Sequence, residues 1–301
     1  MAVENKFPGK DVSPDDLAHK FPLAAKKHAG HKSTFEVAGV TFGGALVPIF
    51  AGPNMVESEA LIVETARQVK ARGAHFLRGG AFKPLTFPYR SAKYTETRED
   101  GIAWMKIAKQ ETGIGIITEV MEERFLDLIC DTADILQIGA RNMQNYPLIT
   151  AAAKTGKALM IKRHFGSSLR DWLGAVEYAM VEGNERVILC ERGVSAPHTH
   201  RDTSRFLLDL QVVPAAQEVT HLPIAVDPSH ATFWRAWVAP MALASVAANA
   251  DGIMLEVHPD PENAAVDPLQ PIDFEAFGTL MARMQAVASA VGRTVGLEAG
   301  K

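Results

Sequence analysis

Short apolar runs recur along this chain, separated by longer segments with helical periodicity. The runs are almost continuously hydrophobic rather than alternating, which is typical of parallel strands buried on both faces. They predict eight strands, at 47–51, 75–78, 114–118, 135–138, 158–162, 187–190, 224–227 and 252–256. Such a chain is expected to form an α/β fold around a parallel sheet.

The segments between and after the strands predict helices at 58–72, 100–112, 121–131, 145–155, 168–182, 208–219, 236–249 and 273–291. Eight strand–helix units in about 250 residues match a (β/α)8 TIM barrel. A doubly wound sheet is the alternative, but a dinucleotide-binding one would need a glycine-rich turn after its first strand, and Gly52-Pro53-Asn54 is not such a turn. The start of the first helix is the least defined, because Leu61 follows Ser58 where a capping box would have Glu or Gln.

No Pro/Gly/Ser-rich or charge-rich linker divides the chain. We therefore expect an N-terminal extension, residues 1–33, followed by a single barrel domain, residues 34–301, that opens with a hairpin-like segment at 34–42. The extension is too short for a separate feedback domain, so an unregulated barrel is expected.

Charge and composition exclude several classes of protein. Thirty-one Lys and Arg against 35 Asp and Glu give no basic field for nucleic acid or an anionic membrane. No apolar stretch approaches the roughly 20 residues of a membrane span, and the N-terminus lacks a secretory signal, so a cytoplasmic location is expected. Cys130 and Cys190 lie in apolar runs without zinc-site spacing, as expected for buried free thiols.

A polar or charged residue that could bind a ligand or take part in catalysis lies at or just past the end of each predicted strand. These residues are Asn54, Arg78, Glu119, Arg141, Lys162, Arg192, His230 and Glu256. In a barrel the carboxyl ends of all strands face one mouth, where active sites are built.

Six cations gather at this mouth although the net charge of the chain is negative. They are Arg78, Lys83, Arg141, Lys162, Arg163 and Arg192. Unpaired cations are costly in a low-dielectric cavity, so a small, multiply charged anion is the expected ligand. Pairing with Glu119, Glu191 and Asp227 is the structural alternative, and it is strongest for Arg163.

Six segments, in order, resemble the small, single-barrel DAHP (3-deoxy-D-arabino-heptulosonate 7-phosphate) synthases. The segments are 77–84, 137–145, 162–163, 188–193, 227–231 and 256–261. Enzymes of this family join phosphoenolpyruvate to erythrose 4-phosphate at the head of the shikimate pathway, which leads to the aromatic amino acids. The related ketodeoxyoctulosonate phosphate synthases share the barrel and the use of phosphoenolpyruvate. The resemblance implies an aldol-type transferase that is a homodimer or homotetramer.

The resemblance also implies roles for individual residues. Arg141, Lys162 and Arg192 would bind the phosphate of phosphoenolpyruvate, with Arg78 and Lys83 on its phosphate or carboxylate. We also expect Lys83 to assist the aldehyde oxygen as a cation or proton donor.

The metal-dependent members hold a divalent ion through a cysteine, a histidine, a glutamate and an aspartate. His230, Glu256 and Asp267 match three of these ligands, and Asn54 stands in place of the cysteine. An amide oxygen lacks the charge and softness of a thiolate, which favours an enzyme without a metal cofactor. Asn54, His230 and Asp267 would then orient the water or the aldehyde. A site for Mn²⁺ or Mg²⁺ with Asn54 as a weak ligand is the alternative.

The acceptor side departs from the family pattern. The family's arginine after Lys-Pro is missing from the segment 83–87, and its later Arg-Asn-Thr-Leu-Asp reads Arg205-Phe206-Leu207-Leu208-Asp209. The residues expected at the acceptor are Thr86, His198, Arg205 and Trp234. Erythrose 4-phosphate is the default acceptor and another aldehyde is the alternative. A noncatalytic barrel that binds a phosphorylated metabolite and serves as a regulatory subunit is the second hypothesis.

Overall fold

The protein is described here by a computed structural model, which covers residues 20–83, 96–197, 200–201 and 206–296. Eight strands form a closed parallel barrel in the order β11-β12-β3-β4-β5-β6-β7-β8. These strands are β3 (Ile49–Gly52), β4 (Phe76–Arg78), β5 (Gly115–Glu119), β6 (Ile135–Ile138), β7 (Ala158–Lys162), β8 (Val187–Glu191), β11 (Ile224–Val226) and β12 (Gly252–Glu256). The prediction of a (β/α)8 TIM barrel is confirmed.

Helices surround the barrel strands. They are α1 (Glu59–Ala71), α2 (Arg98–Thr112), α3 (Leu126–Cys130), α4 (Tyr146–Lys154), α5 (Leu169–Val181), α6 (Val212–Val219), α7 (Pro228–Thr232), α8 (Arg235–Ala247) and α9 (Phe274–Ala290). Ser58 does cap the first helix, because its side chain accepts a hydrogen bond from the backbone N–H of Leu61 at 3.3 Å. Within the described part of the chain, no helix is both long and apolar enough to span a bilayer.

Two predicted helices are shorter than expected. The segment 121–131 begins with a 3₁₀ turn, Glu123–Phe125, before the five residues of α3. The segment 208–219 becomes helical at Val212, whose N–H is accepted by the Asp209 carboxylate at 3.2 Å. A side chain just before a helix that accepts one of its first backbone N–H groups marks the helix start. This helix therefore starts four residues later than predicted.

A hairpin covers the amino end of the barrel. It is formed by β1 (Phe35–Val37) and β2 (Val40–Phe42), which pair antiparallel. Phe42 is fully buried, and its ring centroid lies 6.1 Å from that of Phe50 and 5.7 Å from that of Phe76, both near the starts of their strands. The carboxyl end of the barrel is thus left as the site of its chemistry.

The residues before the hairpin pack on the barrel from outside. The backbone N–H groups of Leu23 and Ala24 donate to Glu177 Oε1 on α5, at 3.0 and 2.6 Å. Phe21 and Ala24 are buried in the same apolar core as the barrel and its helices.

Candidate functional site

Six predicted site residues belong to one connected network at the carboxyl ends of the strands. They are Asn54, Arg78, Lys162, His230, Glu256 and Asp267. At one end of the network, the Lys162 ammonium lies 2.5 Å from Oδ2 of Asp227. The same oxygen lies 2.8 Å from His230 Nδ1, and Nε2 of that ring lies 3.0 Å from Glu256 Oε1. Basic and acidic side chains therefore alternate across the mouth.

Asp227 joins two of these groups because it caps the short helix α7. Its Oδ1 accepts the backbone N–H of His230 at 3.0 Å, and Pro228 occupies the first turn of the helix. Complete burial would raise the pKa of Asp227, but His230 and Lys162 outweigh burial and hold this pKa well below its ordinary value. Asp227 is therefore a fixed carboxylate that orients both neighbours.

Glu256 is the second junction of the network. Its Oε1 accepts from Nε2 of Gln270 at 2.7 Å and lies 3.4 Å from Nη1 of Arg78. Burial would raise the pKa of Glu256, but His230 and Arg78 lower it overall. Sequence reasoning missed Gln270. The segment that carries it runs beside β12, where the Ile272 N–H donates to the carbonyl of Glu256 at 3.0 Å.

Three buried polar atoms lie around this junction without a hydrogen-bond partner among the described residues. They are Arg78 Nε, Glu256 Oε2 and Gln270 Oε1. A buried polar group left unpaired is costly, and such groups mark places where a bound molecule or water completes the structure. Arg78, at 4% exposure, therefore retains binding capacity through Nε, although its Nη1 contacts both Glu256 and the carbonyl of Pro53 and its Nη2 lies 3.5 Å from Asn54 Oδ1.

The donor set around Asn54 does not fit a divalent metal. Glu256 Oε2 is an atom that a cation could satisfy, but both ring nitrogens of His230 face carboxylates. Asn54 donates from Nδ2 to Oδ2 of Asp267 at 2.9 Å, and its Oδ1 lies 3.5 Å from Nη2 of Arg78, so both ends of the amide are engaged by other side chains and neither supplies the negative charge of a thiolate.

Lys83 stands close to the network. Burial lowers its pKa, with an opposing influence from Glu119, Glu256 and Asp267 and a further lowering by Arg78. Beside the network is a small cavity of about 10 Å³, lined by residues of β4 to β6 and of the turns that follow β3 and β4. Its polar lining includes Asn54, Arg78, Thr118, Glu119 and Gln137.

The remaining predicted cations have different surroundings. Arg163 bridges Glu191 at 3.0 Å and Asp209 at 2.8 Å, so it is a structural ion pair, the alternative considered for it from sequence. Arg141 is exposed in the 3₁₀ turn Ala140–Asn142, after β6. Arg192 follows β8, and its guanidinium carbon lies 4.4 Å from the ring centroid of Phe206.

Three of the four predicted acceptor residues, Thr86, His198 and Arg205, lie outside the described residues. The fourth, Trp234, is partly buried in the link between α7 and α8. The guanidinium carbon of Arg201 lies 3.5 Å from the centroid of its ring, so one face of Trp234 is covered by a cation.

Comparisons with known proteins identify relatives of this chain. The chain is 37% identical over 292 residues to the phospho-2-dehydro-3-deoxyheptonate aldolase of Thermotoga maritima, covering 96% of this chain and 85% of that protein. It is 29% identical over 272 residues to the 2-dehydro-3-deoxyphosphooctonate aldolase of Syntrophotalea carbinolica, covering 84% and 95%.

Solved structures give the same relationship. The crystal structure of the Thermotoga maritima DAHP synthase matches with a TM-score of 0.84 at 36% identity, over 90% of this chain and 78% of that one. A truncated form of 3-deoxy-D-arabino-heptulosonate 7-phosphate synthase from Thermotoga maritima matches with a TM-score of 0.82 at 35% identity, over 91% and 99%. The family model described as DAHP synthetase I matches residues 25–292. The chain therefore belongs to the DAHP synthetase I family.

Proposed function

We propose that the protein condenses phosphoenolpyruvate with a phosphorylated aldehyde, without a divalent metal, and releases inorganic phosphate. The family and the phosphooctonate relatives both perform aldol-type condensations of phosphoenolpyruvate, and the protein is accordingly a transferase that forms a carbon–carbon bond. Erythrose 4-phosphate is the default acceptor, by similarity to the heptonate enzymes.

One observation carries the proposal: two cations, Arg78 and Lys162, are buried at the barrel mouth and tied into the same network. Each is 4% exposed, and Asp227, His230 and Glu256 connect them. Charged groups that are held in place before the substrate arrives need little reorganisation when an anion binds or when charge develops. Arg141 and Arg192 would complete the phosphate site.

The reaction requires charge to be stabilised at two places. C3 of phosphoenolpyruvate attacks the aldehyde carbon, and the aldehyde oxygen takes a proton, for which we assign the Lys83 ammonium as donor. Water then adds at C2 and loses a proton, and the resulting hemiketal phosphate expels inorganic phosphate to leave a ketone. The partly lowered pKa of Lys83 makes proton donation easier than from an ordinary lysine.

The pair formed by Asn54 and Asp267 supports the metal-free form of this mechanism. The hydrogen bond from Asn54 Nδ2 to Asp267 Oδ2 holds a carboxylate next to Asn54, which lines the cavity, and this carboxylate would orient the water and take its proton. Every step in this scheme uses side chains of the chain itself.

The test is phosphate release from phosphoenolpyruvate with a panel of aldoses and aldose phosphates, with and without a chelator. We expect release that depends on the acceptor and is unaffected by the chelator. Arg78→Met should abolish it, whereas Arg67→Met, at an exposed arginine of α1, should not. Tight binding of phosphoenolpyruvate without turnover on any aldehyde would support the noncatalytic barrel instead. Loss of activity with chelator, restored by Mn²⁺, would overturn the metal-free mechanism.

A further inference from the structure

Arg192 rests on an aromatic ring that the family pattern does not lead one to expect. Its guanidinium carbon lies 4.4 Å from the centroid of Phe206, within the range of a cation–π contact. Phe206 occupies the position at which the resembling enzymes carry asparagine. From sequence, this substitution could belong to the acceptor site or to ordinary packing.

The Phe206 ring is held rigidly beneath Arg192. Phe206 lies in β10 (Phe206–Leu207), which pairs antiparallel with β9 (Val194–Ser195), and it is 9% exposed. The ring centroid of Phe165 lies 5.4 Å away. The strand pair and the second ring thus hold the Phe206 ring in place against Arg192.

Gly193 allows this close approach. A Cβ at this position would lie 2.8 Å from Cβ of Phe206 and 3.0 Å from Cα of Ala231, and the residue has a φ of +95°. Glu191 Oε1 accepts the Gly193 N–H at 2.6 Å, which fixes the turn that carries Arg192. The turn and the ring together define where the guanidinium lies.

We propose that Phe206 is a positioning residue that orients Arg192 toward the phosphate of phosphoenolpyruvate, rather than part of the acceptor site. A guanidinium stacked on a ring keeps its N–H edge available for bidentate contacts with phosphate. Stacking also restricts the rotamers of Arg192 before the ligand arrives. Less conformational entropy is then lost on binding, which favours the bound state. This inference rests on the proposed function, because it takes phosphoenolpyruvate as the ligand of Arg192.

The experiment compares Phe206→Met, which keeps most of the volume but removes the ring face, with Phe206→Tyr, which keeps the face. Calorimetry without acceptor gives the Kd of phosphoenolpyruvate, and steady-state kinetics give KM for both substrates. We expect Phe206→Met to bind phosphoenolpyruvate about 3- to 10-fold more weakly and to leave the KM of the acceptor unchanged, while Phe206→Tyr stays near wild type. Phe35→Met, in the hairpin at the opposite end, controls for general loss of packing and should leave this Kd unchanged.

A double-mutant cycle removes the ambiguity of a folding defect. In an Arg192→Ala background, Phe206→Met should have no further effect on the Kd of phosphoenolpyruvate. An equal effect in both backgrounds, or a change confined to the KM of the acceptor, would overturn the inference. If the wild-type protein binds no phosphoenolpyruvate, the proposed function fails; if it binds normally and Phe206→Met does too, only the role of Phe206 fails.

Discussion

Asn54 and Asp267 are joined by a hydrogen bond of 2.9 Å from Nδ2 to Oδ2, which ties the end of β3 to the loop after β12. Asp267 has a φ of +53°, a left-handed conformation that is unfavourable for a residue with a Cβ. Its carbonyl accepts the backbone N–H of Gln270 at 3.2 Å, so the strained residue lies in a turn bonded at both its side chain and its backbone. Strain maintained in this way is typical of functional positions.

Replacing Asn54 tests how the enzyme manages without a metal. Asn54→Cys removes the N–H donor and adds a thiolate to His230, Glu256 and Asp267, so Mn²⁺ should stimulate this variant by about 10-fold or more. Asn54→Ala removes the amide without supplying a ligand and should not respond to Mn²⁺. Phosphate release across a Mn²⁺ titration measures both responses, and an equal response of the two variants would argue against a thiolate site.

Lys83 should set the alkaline limb of the activity profile. If its ammonium protonates the aldehyde oxygen, kcat should fall as rising pH removes that proton. Because burial lowers the pKa of Lys83, this fall should occur at a lower pH than for an ordinary lysine. Lys83→Arg keeps a cation of higher pKa, so its limb should move to higher pH, while Lys83→Met should lose about 100-fold or more in kcat. A limb at the same pH in Lys83→Arg and wild type would assign the proton to another group.

Arg163 should matter for stability more than for binding. Burial raises the pKa of Glu191 although Arg163 opposes it, so this carboxylate depends on its partner. Arg163→Met should lower the free energy of unfolding by about 3–5 kcal/mol, because it leaves a buried charge unpaired. Arg67→Met, at an exposed pair on α1, should change it by less than about 1 kcal/mol in the same denaturation experiment.

Trp234 should affect the acceptor through Arg201. Trp234→Leu removes the ring that the Arg201 guanidinium covers, so the KM of the aldehyde should rise about 3- to 10-fold while the KM of phosphoenolpyruvate stays unchanged. Trp237→Leu is the matched control, because Trp237 faces His200 edge-on. A rise in the KM of phosphoenolpyruvate alone would place Trp234 on the donor side.

His75 should make stability depend on pH. Burial lowers its pKa to about 4, against about 6.5 in the unfolded chain, so the unfolded state binds more protons between these values. The free energy of unfolding should therefore fall as pH drops from about 6.5 towards 4, by up to roughly 3 kcal/mol, and level off below. His75→Gln keeps an acceptor for the Ile49 N–H, which His75 Nδ1 accepts at 3.0 Å, and should flatten this slope. His28→Gln, at an exposed position, should not.

The barrel strands were predictable because each is buried on both faces and reads as an unbroken apolar run. Strands β6, β7 and β12 have the predicted bounds, and the others differ by one or two residues at one or both ends. Helix α7 was missed because five residues are too few to show a helical period. Asp227-Pro228, an N-cap followed by proline, was the available signal.

The site was predictable where strand ends carry its residues and less so where loops do. Arg78, Lys162 and Glu256 end their strands, so the fold alone brings them to one mouth. Gln270 follows a turn after which the chain runs back alongside β12, and no sequence pattern predicts that path. Likewise, the sequence does not show whether Phe206 packs against Arg192 or lines the acceptor site.

The hairpin closes the amino end of the barrel. Phe42, Phe50 and Phe76 fill that end, so substrates enter and products leave at the carboxyl end of the barrel. A floor made of three phenyl rings thus leaves the carboxyl ends of the strands as the route by which a ligand reaches Arg78 and Lys162.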